Sequence, residues 1–325
     1  MKEYIIKLKI IFFGLGSIGQ RHCKNIYENY NNVEIYAYRT SNNPLQLISK
    51  DYITILTSLN EINDVKPDIA FITNPSSMHM ETALLAAMSG CHLFIEKPLT
   101  DDLKQLPKLE KIVTKNNLAT YVAFNWRFHP VVIKLKEMID NNKMGKIFFV
   151  RVEAGSFFPD WHPGEDYRKS YVGKKELGGG AVLTGIHEID YLFWLFGEPD
   201  RFSSMVGRQS NLDIDVDDTA EIMMNVNNII ISLHIDLLQN PNIRVIKIVS
   251  EKGTYVVNLL DNIINFYFKD KKNIIFKVDD YDLNDMYLKE LHYFFSYISD
   301  KELNPMNTIF EAKKVQKLAL NILRN

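Results

Sequence analysis

The first 124 residues alternate short apolar runs with longer stretches in which apolar residues recur at helical spacing. Runs that stay apolar at nearly every position predict strands buried on both faces, as in a parallel sheet covered by helices. Strand and helix alternate throughout, which predicts an α/β Rossmann domain with a doubly wound parallel sheet over residues 1–124. The expected strands are 7–13, 33–38, 52–56, 68–73, 92–96 and 119–124, and the expected helices are 20–28, 59–65, 78–89 and 103–115.

The remaining residues, 125–325, show a different pattern, in which apolar and polar residues alternate along runs separated by turn residues. This period of two predicts an α+β domain with an open, mostly antiparallel sheet, one face of which packs on helices. We expect the opposite face, with Ile229, Ile231, Leu233 and Ile235, to pair with a second copy in a homodimer or homotetramer. The expected strands are 146–156, 202–209, 218–226, 229–237, 244–250, 255–260, 263–268 and 273–278, and the expected helices are 131–141 and 308–323, with segment 308–325 packing back on the first domain.

The composition limits the classes of function that this protein can have. The chain has 325 residues, of which 46% are hydrophobic and 24% charged, as in an ordinary globular protein of about two domains. Its formal net charge of -2, without a Lys/Arg block, argues against nucleic-acid binding. Cys23 and Cys91 make neither a disulfide framework nor a metal cluster, so no metal is expected. The apolar run near the N-terminus is too short for a membrane span, and we expect a cytoplasmic location.

A glycine motif follows the first expected strand. Gly14, Gly16 and Gly19 have the GxGxxG spacing between a strand and a helix, which is the context that dinucleotide binding requires. The first glycine makes the turn, the second admits the pyrophosphate, and the third lets the helix pack on the strand. Ser17 and Ile18 would present backbone N–H groups to the phosphates at the helix N-terminus. A glycine-rich turn without a ligand is the alternative.

The end of the second expected strand indicates which dinucleotide is bound. A carboxylate usually lies there and binds the ribose hydroxyls, but this chain has Arg39 and Thr40 and no acid. A guanidinium and a hydroxyl suit a 2′-phosphate, so we favour NADP(H) over NAD(H). Arg39 could instead stack on the adenine, which leaves NAD(H) open.

Polar residues follow two further strands. Asn74, Pro75 and His79 come after the fourth strand, and Glu96 and Lys97 come after the fifth. Ligands of open α/β sheets bind at the carboxyl ends of the strands, so these residues are expected to contact the cofactor. The proline after Lys97 favours extended backbone there and fixes where the ammonium points. A solvated surface lysine is the alternative interpretation.

Residues 178–197 combine three glycines with a helical pattern that is apolar on most sides. The glycines predict a loop whose backbone approaches a ligand closely. A helix that is apolar all round is buried, so Thr184, His187, Glu188 and Asp190 in its first turns are expected to face that ligand. A hydrogen-bonded core histidine is the alternative for His187.

Aromatic and charged residues crowd a further loop, which precedes the three glycines and shows no periodicity. Trp161 and Tyr167 offer flat faces for a sugar ring, whereas His162, Asp166 and Arg168 offer partners for hydroxyl or phosphate groups. We therefore expect this loop to contact a substrate. An ordinary surface loop is the alternative.

With these segments taken together, the chain resembles the Gfo/Idh/MocA family of NAD(P)-dependent oxidoreductases. The resemblance covers nearly the whole chain, and its most specific part is the pairing of EKP with the glycine-to-histidine helix. The matching segments are GLGSIGQRH at 14–22, TNPSSMH at 73–79, EKP at 96–98, NWRFHP at 125–130 and GGGAVLTGIHEIDYLFWLFG at 178–197.

The resemblance implies a chemistry for the site. A family member would transfer a hydride between nicotinamide and a carbinol or carbonyl carbon, with Lys97 near the reacting oxygen and His187 exchanging the proton. Many members have an Asp four residues before this histidine, whereas this chain has Leu183. Because Thr184 cannot orient and charge an imidazole as a carboxylate does, Tyr167 or Lys97 is the alternative proton carrier.

The resemblance also implies a substrate class. The loop with Trp161 and the glycine-to-histidine helix look like those of family members from bacterial surface-polysaccharide and nucleotide-sugar clusters. A sugar or a nucleotide sugar is therefore expected, with Asn125 and Arg127 among its contacts. Two alternatives stand on the same scaffold: a catalytically silent sugar- or dinucleotide-sensing protein, and a glycoside hydrolase in which NAD is reduced and reoxidised within each turnover.

Overall fold

The runs that stay apolar at every position form one parallel sheet in the computed structural model, which describes residues 7–39, 45–300 and 302–324. Its strands are β1 (Leu8–Phe13), β2 (Val33–Tyr38), β3 (Thr54–Leu56), β4 (Ile69–Ile72), β5 (His92–Ile95) and β6 (Thr120–Val122). Their order is β3-β2-β1-β4-β5-β6, and every neighbouring pair is parallel. This is the strand order of a doubly wound Rossmann fold, so the predicted fold of the first half is confirmed.

The two central strands of this sheet are buried on both faces, which is why their sequences lack a polar alternation. Ile10, Ile69 and neighbouring side chains are completely buried. Phe12, Phe71 and Phe94 stack across β1, β4 and β5, with ring centroids 4.8 and 4.6 Å apart. Offset stacking of this kind adds to the free energy gained from burial and fixes the lateral register of the three strands.

The helices begin and end close to the expected positions. α1 begins at Ser17 rather than at residue 20, because the turn at Gly16 leads directly into it. The helices of the described chain are α1 (Ser17–Asn29), α2 (Leu59–Val65), α3 (His79–Met88), α4 (Leu106–Asn116), α5 (Pro130–Asp140), α6 (Ala181–Thr184), α7 (Ile186–Phe196), α8 (Asn284–Ser299) and α9 (Ile309–Ile322).

Helix α8 has no counterpart in the sequence analysis. Its Leu291 and Phe294 are completely buried, and the Phe294 ring lies edge-on to Phe71 and Phe94 at centroid distances of 6.3 and 5.4 Å. Glu290 interrupts the apolar positions at the middle of the buried face. The carboxyl therefore breaks the run of apolar residues on the buried face of a helix that contributes to the core.

The second sheet has eight strands in the order β14-β13-β12-β11-β7-β10-β9-β8. The strands are β7 (Ile147–Gly155), β8 (Arg201–Gly207), β9 (Thr219–Val226), β10 (Ile229–Asp236), β11 (Ile243–Ser250), β12 (Gly253–Asn258), β13 (Ile263–Phe268) and β14 (Lys271–Lys277). β7 and β10 are parallel, and the other neighbours are antiparallel. The predicted open, mostly antiparallel sheet is confirmed.

The side chains predicted for the outer face of this sheet lie on its inner face instead. Ile231, Leu233 and Ile235 are at most 3% exposed within the single chain, so this face, to which Ile229 also belongs by alternation, packs inside the unit. The alternate positions point outward, as shown by Ile230, which is 53% exposed. Alternation along a strand shows that one face is buried, but it does not show whether a helix or a second copy covers that face.

The chain divides into two units. The first comprises Met1–Ala123 and Tyr287–Lys313, and the second comprises Phe124–Met286 and Lys314–Asn325. The expected boundary after residue 124 lies one residue from the end of the first segment. Among the helices of the described residues, none has both the length and the apolar character that crossing a bilayer requires.

Candidate active site

The three glycines of the first turn have different surroundings. A methyl group on Gly14 would lie 2.7 Å from the backbone nitrogen of Asn74, and one on Gly19 would lie 2.4 Å from the carbonyl oxygen of Gly14. A methyl group on Gly16 would meet no atom of the described residues within 4 Å. The outer two glycines therefore let the chain pack on itself, whereas the middle one faces open space.

This open space lies at the N-terminus of α1, a helix of 13 residues. Within the described part of the chain, no side chain caps the helix, and no acidic residue lies in its first turn. Ser17 is exposed and Ile18 is half-buried. Unpaired N–H groups beside a glycine that leaves room are the features that a dinucleotide pyrophosphate requires, so these residues fit such a group.

Of the two residues expected to read the ribose, the structure describes one. Arg39 is half-buried, and its backbone N–H donates to the carbonyl of Leu56 at 3.4 Å. Thr40 lies outside the described residues. Arg39 therefore lies at the end of β2, where the sequence has no acid.

Lys97 follows β5 and is half-buried. Its backbone N–H donates to Oε2 of Glu96 at 3.1 Å, and Oε1 of the same carboxyl lies 2.7 Å from Nε2 of the completely buried His22. Glu96 is 8% exposed, so its carboxyl is used by the protein itself. The structure therefore gives Glu96 a part in fixing the Lys97 backbone, whereas the sequence predicted a cofactor contact.

The residues after β4 differ in their access to a ligand. Asn74 and Pro75 are half-buried, and the Asn74 amide donates to the hydroxyl of Thr82 at 2.8 Å. His79 is 1% exposed, and both of its ring nitrogens contact backbone carbonyls. The His79 ring therefore does not face a cofactor, and its expected role as a cofactor contact is not what its geometry indicates.

The second glycine run, Gly178 to Gly180, packs against the protein. A methyl group on Gly179 would lie 2.2 Å from the carbonyl oxygen of Val172, and one on Gly180 would lie 2.2 Å from Oδ1 of Asp217. Asp217 also accepts the N–H of Val182 at 2.9 Å. Gly179 and Gly180 thus pack closely against the chain's own backbone and a carboxyl. The prediction that they face a ligand was wrong.

The helical segment after these glycines is broken at Gly185 into α6 and α7. Thr184 and His187 are half-buried, and the His187 ring lies edge-on to Phe124 with centroids 6.3 Å apart. Leu183 is 4% exposed and belongs to the core. The position at which the family resemblance led us to look for an Asp is thus an apolar core position here.

The two carboxyls of α7 are held in ion pairs. Asp190 therefore does not face a ligand as the sequence predicted, whereas Glu188 lines the cleft described below. Glu188 is completely buried, and its Oε1 lies 2.8 Å from Nε of Arg244, whose guanidinium also lies 4.1 Å from the ring centre of Trp126. Asp190 is completely buried and accepts two bonds from Arg127, from Nε at 2.9 Å and from Nη2 at 2.6 Å. Removing one partner of such a buried pair costs about 3–5 kcal/mol.

The expected substrate role of Arg127 is therefore not supported by its placement. Arg127 is 3% exposed and is committed to a carboxylate, and Asn125 in the same turn is 4% exposed. This turn instead anchors the helix that carries His187.

A cleft of ≈ 180 Å³ opens at the ends of β7 and β10 in the second unit. Trp161, whose indole N–H donates to the hydroxyl of Ser156 at 2.9 Å, forms one wall, and Thr184 lies on another. Four polar residues that were not predicted from the sequence also line the cleft: Ser156, Asp236, Asn242 and Arg244.

A signal in the sequence could have revealed Arg244. It shares the parity of Ile246 and Ile248, which are completely buried, so an arginine at this position of β11 points to the inner face of the sheet. A guanidinium on that face requires a carboxylate partner or a ligand.

The remaining residues of the expected substrate loop are spread over the surface. His162 is exposed, and Asp166 binds Arg168 through two bonds, at 2.7 and 2.9 Å. The Tyr167 ring packs edge-on against Phe158, and its hydroxyl accepts the N–H of Asp213 at 3.3 Å. Only Trp161 of this group lines the cleft.

A parallel sheet of order 3-2-1-4-5-6 with a glycine turn open at its middle position, joined in one chain to a mostly antiparallel sheet, defines a two-domain dinucleotide-binding protein. The NAD-binding Rossmann fold of the Gfo/Idh/MocA oxidoreductase family matches residues 8–124, and the C-terminal domain of that family matches residues 132–256. Together these ranges span well over half of the chain. The chain belongs to the Gfo/Idh/MocA family, as the sequence predicted.

Individual relatives are distant. The levoglucosan dehydrogenase of Pseudarthrobacter phenanthrenivorans is 31% identical over 139 residues, which are 42% of this chain and 35% of that protein. The myo-inositol 2-dehydrogenase of Thermotoga maritima is 25% identical over 196 residues, 59% of this chain and 55% of that protein. The aligned regions thus span between a third and just over half of the length of these curated relatives.

A solved structure extends the likeness of fold over the whole chain. The WlbA dehydrogenase from Bordetella pertussis, in complex with NADH and UDP-GlcNAcA, has a TM-score of 0.82 and 21% sequence identity, covering 98% of this chain and 96% of that one. At this level of identity, the likeness establishes the shared fold of both domains.

Proposed function

We propose that this protein is an NAD(P)-dependent oxidoreductase that transfers a hydride between the nicotinamide and a carbinol or carbonyl carbon of a sugar or nucleotide sugar. The observation that carries the proposal is the open space at Gly16 beside the uncapped N-terminus of α1. When bound, the nicotinamide supplies the hydride donor or acceptor, and the protein supplies binding, orientation and charge.

The proton transfer requires groups that reach the reacting oxygen. We assign this role to Lys97, held at the end of β5, and to His187, on the helix anchored by the Arg127–Asp190 pair. Because Leu183 is a core residue, His187 works without a carboxylate at that position. Tyr167 is the weaker candidate, since its hydroxyl already accepts a backbone N–H.

The assignment is tested by single substitutions. Lys97→Ala and His187→Ala are each expected to lower turnover by a factor of about 10² or more, while NADH binding is retained. Tyr167→Phe is the matched control, which keeps the ring and is expected to leave turnover within a few-fold. Full turnover in both alanine variants would remove these two residues from the mechanism.

The substrate class is supported by the cleft in the second unit. Its volume of ≈ 180 Å³ suits a single sugar ring, Trp161 offers an apolar wall, and Thr184, Asn242 and Arg244 offer hydrogen-bond partners for hydroxyls. The named relatives include dehydrogenases of levoglucosan and inositol, and the WlbA structure holds UDP-GlcNAcA. We propose a role in bacterial surface-glycan biosynthesis, which this substrate class indicates.

Cofactor absorbance followed against a panel of sugars, inositols and UDP-sugars tests the proposal. Net reduction of the dinucleotide, or net oxidation of its reduced form, is the expected result. A sugar product without a net change in cofactor would indicate the glycoside hydrolase instead. Ligand binding without any product would indicate a sensing protein.

The choice of dinucleotide is a separate part of the proposal. Arg39 without a neighbouring acid favours NADP(H), although WlbA and levoglucosan dehydrogenase have been solved with NADH. Titration of intrinsic fluorescence with NADPH and NADH should give the tighter constant for NADPH, and Arg39→Ala should weaken NADPH more than NADH. Tighter binding of NADH by the unaltered protein would reverse the preference and leave the reaction class untouched.

We also propose that the protein self-associates through the outer face of the second sheet. Met205 is 80% exposed, Met223 47% and Ile230 53%, so the face that carries them presents large apolar side chains that are accessible in the single chain. Sedimentation velocity at micromolar concentration should show a dimer or tetramer, and Met223→Lys should shift it toward the monomer. A monomer for the unaltered protein would contradict the proposal.

A further inference from the structure

Among the described residues, both ring nitrogens of His79 contact hydrogen-bond acceptors. His79 lies at the start of α3, is 1% exposed, and has Nδ1 2.8 Å from the carbonyl oxygen of Pro98 and Nε2 2.8 Å from the carbonyl oxygen of Asn74. Carbonyl oxygens only accept, and a neutral imidazole has a single N–H to donate. Both contacts are hydrogen bonds only when the ring carries two protons.

The two carbonyls belong to neighbouring turns of the parallel sheet. Asn74 follows β4, and Pro98 follows Lys97 beyond β5. The Lys97 backbone is fixed on its N-terminal side by the bond from its N–H to Glu96. His79 holds the residue on the other side, so the backbone of Lys97 is held both before and after it.

We propose that His79 is a positioning residue for Lys97, and that the number of protons on its ring decides whether it ties both turns or only one. With two protons, the ring joins the Asn74 turn to the Lys97–Pro98 turn. With one proton, a nitrogen lone pair faces one of the carbonyls and that tie is lost. The consequence for catalysis rests on the role proposed above for Lys97, whereas the tie itself does not.

Opposing effects act on the pKa at which the His79 ring loses its second proton. Burial lowers the pKa of His79 because it penalises the charged ring, whereas the two carbonyls and the carboxylates of Glu96 and Asp101 favour that charge. Glu96 and Asp101, both close to the Lys97–Pro98 turn in the sequence, are the carboxylates whose charge favours the protonated ring. The net pKa is lowered, so the doubly tied state is complete at acid pH and is lost as the pH rises through a value below that of an ordinary histidine.

His92 provides an internal reference with the opposite requirement. Its Nδ1 accepts the backbone N–H of Ala119 at 2.9 Å, which requires an unprotonated nitrogen. Burial lowers the pKa of His92 as well, against the charge of Asp68. The buried ring of His79 and the half-buried ring of His92 therefore differ in what the surrounding backbone offers, a pair of acceptors for His79 and a donor for His92.

The experiment uses the full-length protein and measures two things separately: the number of protons on the His79 ring, and the hydrogen bonds from that ring to the two turns. Long-range ¹H–¹⁵N spectra of histidine-labelled protein between pH 4.5 and 8 give the protons on each ring, with His79 and His92 assigned by substitution. Amide hydrogen exchange of the peptide containing Lys97, Leu99 and Thr100, corrected for intrinsic rates, reports the tie. We expect exchange to speed up at the pH where His79 loses its second proton, in this peptide if Nδ1 loses it, or in the peptide containing Asn74 and Ser76 if Nε2 does.

Two variants sharpen the result. Asp101→Asn removes a charge that favours the protonated ring, so it should move both the His79 titration and the exchange step to lower pH together. His79→Phe keeps a ring without donors and should abolish the step, whereas His92→Phe should leave it in place. If His79→Phe does not fold, the Asp101→Asn shift still decides.

The proposal would be overturned by exchange in both peptides that stays constant through the His79 titration, by a step that stays fixed in Asp101→Asn, or by a His79 ring that carries a single proton at every pH between 4.5 and 8. Neither measurement uses turnover, so both remain decisive if the proposed oxidoreductase activity is not found. If the tie is confirmed and turnover is present, kcat should follow the same pH step in the unaltered protein and should shift with it in Asp101→Asn.

Discussion

The two glycine runs of this chain look alike in the sequence and do opposite things in the structure. In the first unit, Gly16 faces open space at the N-terminus of a 13-residue helix that no described side chain caps. In the second unit, Gly179 and Gly180 face a carbonyl oxygen and the Asp217 carboxyl, each 2.2 Å from where a methyl group would lie. One run leaves room for a ligand, and the other makes room for the protein itself.

The difference shows what a glycine motif can and cannot say. Glycine is required wherever a Cβ would collide or the backbone has a positive φ, and neither reason depends on a ligand. At Gly14 the positive φ of 99° and the contact with Asn74 are structural, although the residue belongs to a binding motif. A glycine therefore indicates a ligand site when, as at Gly16, an added methyl group would collide with none of the described residues.

The largest expected effect is that of Gly179→Ala. The added methyl group would lie 2.2 and 2.4 Å from the carbonyl oxygens of Val172 and Tyr171, and backbone atoms cannot move aside as a flexible side chain can. We expect the free energy of unfolding to fall by more than about 3 kcal/mol, measured by chemical denaturation. Gly164→Ala is the control, since it meets no described atom within 4 Å and, at a φ of 85°, should cost about 1–2 kcal/mol. Equal losses in both variants would contradict the role of the collision.

Gly180→Ala should follow, with a cost of about 2 kcal/mol or more, because its φ of 109° is strained for any other residue and because Asp217 occupies the space. The obstacle here is a side chain, so the cost should depend on it. In an Asp217→Ala background the same substitution should cost at least about 0.5 kcal/mol less, by a double-mutant cycle. Strict additivity would show that backbone strain alone makes Gly180 necessary.

The fold could be predicted because it depends on periodicities that short segments carry by themselves. The apolar runs of β1 and β4 predict a covered parallel sheet, and the alternation along β10 predicts a sheet with two unlike faces. What covers each face of a sheet depends on residues that are distant in the sequence. This is why Ile231 and Leu233 were assigned to an interface with a second copy when they pack inside one chain.

The candidate site was predictable to the extent that its residues belong to continuous motifs. Gly16, Lys97 and His187 are fixed by local spacing and by the resemblance to the family. The partners of buried charges come from distant segments, as the pairing of Arg127 with Asp190 shows. A polar residue next to a motif is therefore as readily part of the support as part of the site, and only its partner distinguishes the two.

Gly16→Ala tests the glycine that faces open space. The backbone of Gly16 has φ -68° and ψ -173°, which alanine adopts without strain, and a methyl group there meets no described atom. The free energy of unfolding should therefore change by less than about 1 kcal/mol. NADH affinity, measured by fluorescence titration, should fall by at least about tenfold, or about 1.4 kcal/mol, because the methyl group fills the space that the pyrophosphate needs. Unaltered affinity would place the dinucleotide elsewhere.

The smallest effect concerns the pH dependence of the second glycine run. Burial raises the pKa of Asp217, although the N–H of Val182 stabilises its charged form. Because the folded state then holds this proton more tightly than the unfolded state, the stabilising contribution of the protonated carboxyl is complete below the ordinary value of about 4 and is lost as the pH rises through the raised value.

Asp217→Asn removes that titration and keeps an oxygen to accept from Val182. The stability of the Asn variant relative to the unaltered protein, from urea denaturation at several pH values, should therefore increase above about pH 4, by about 1.4 kcal/mol for each unit of pKa shift. Parallel pH profiles for the two proteins would mean that Asp217 keeps its ordinary pKa, so that the carboxyl beside Gly180 is solvated in solution and the second glycine run is as open as the first.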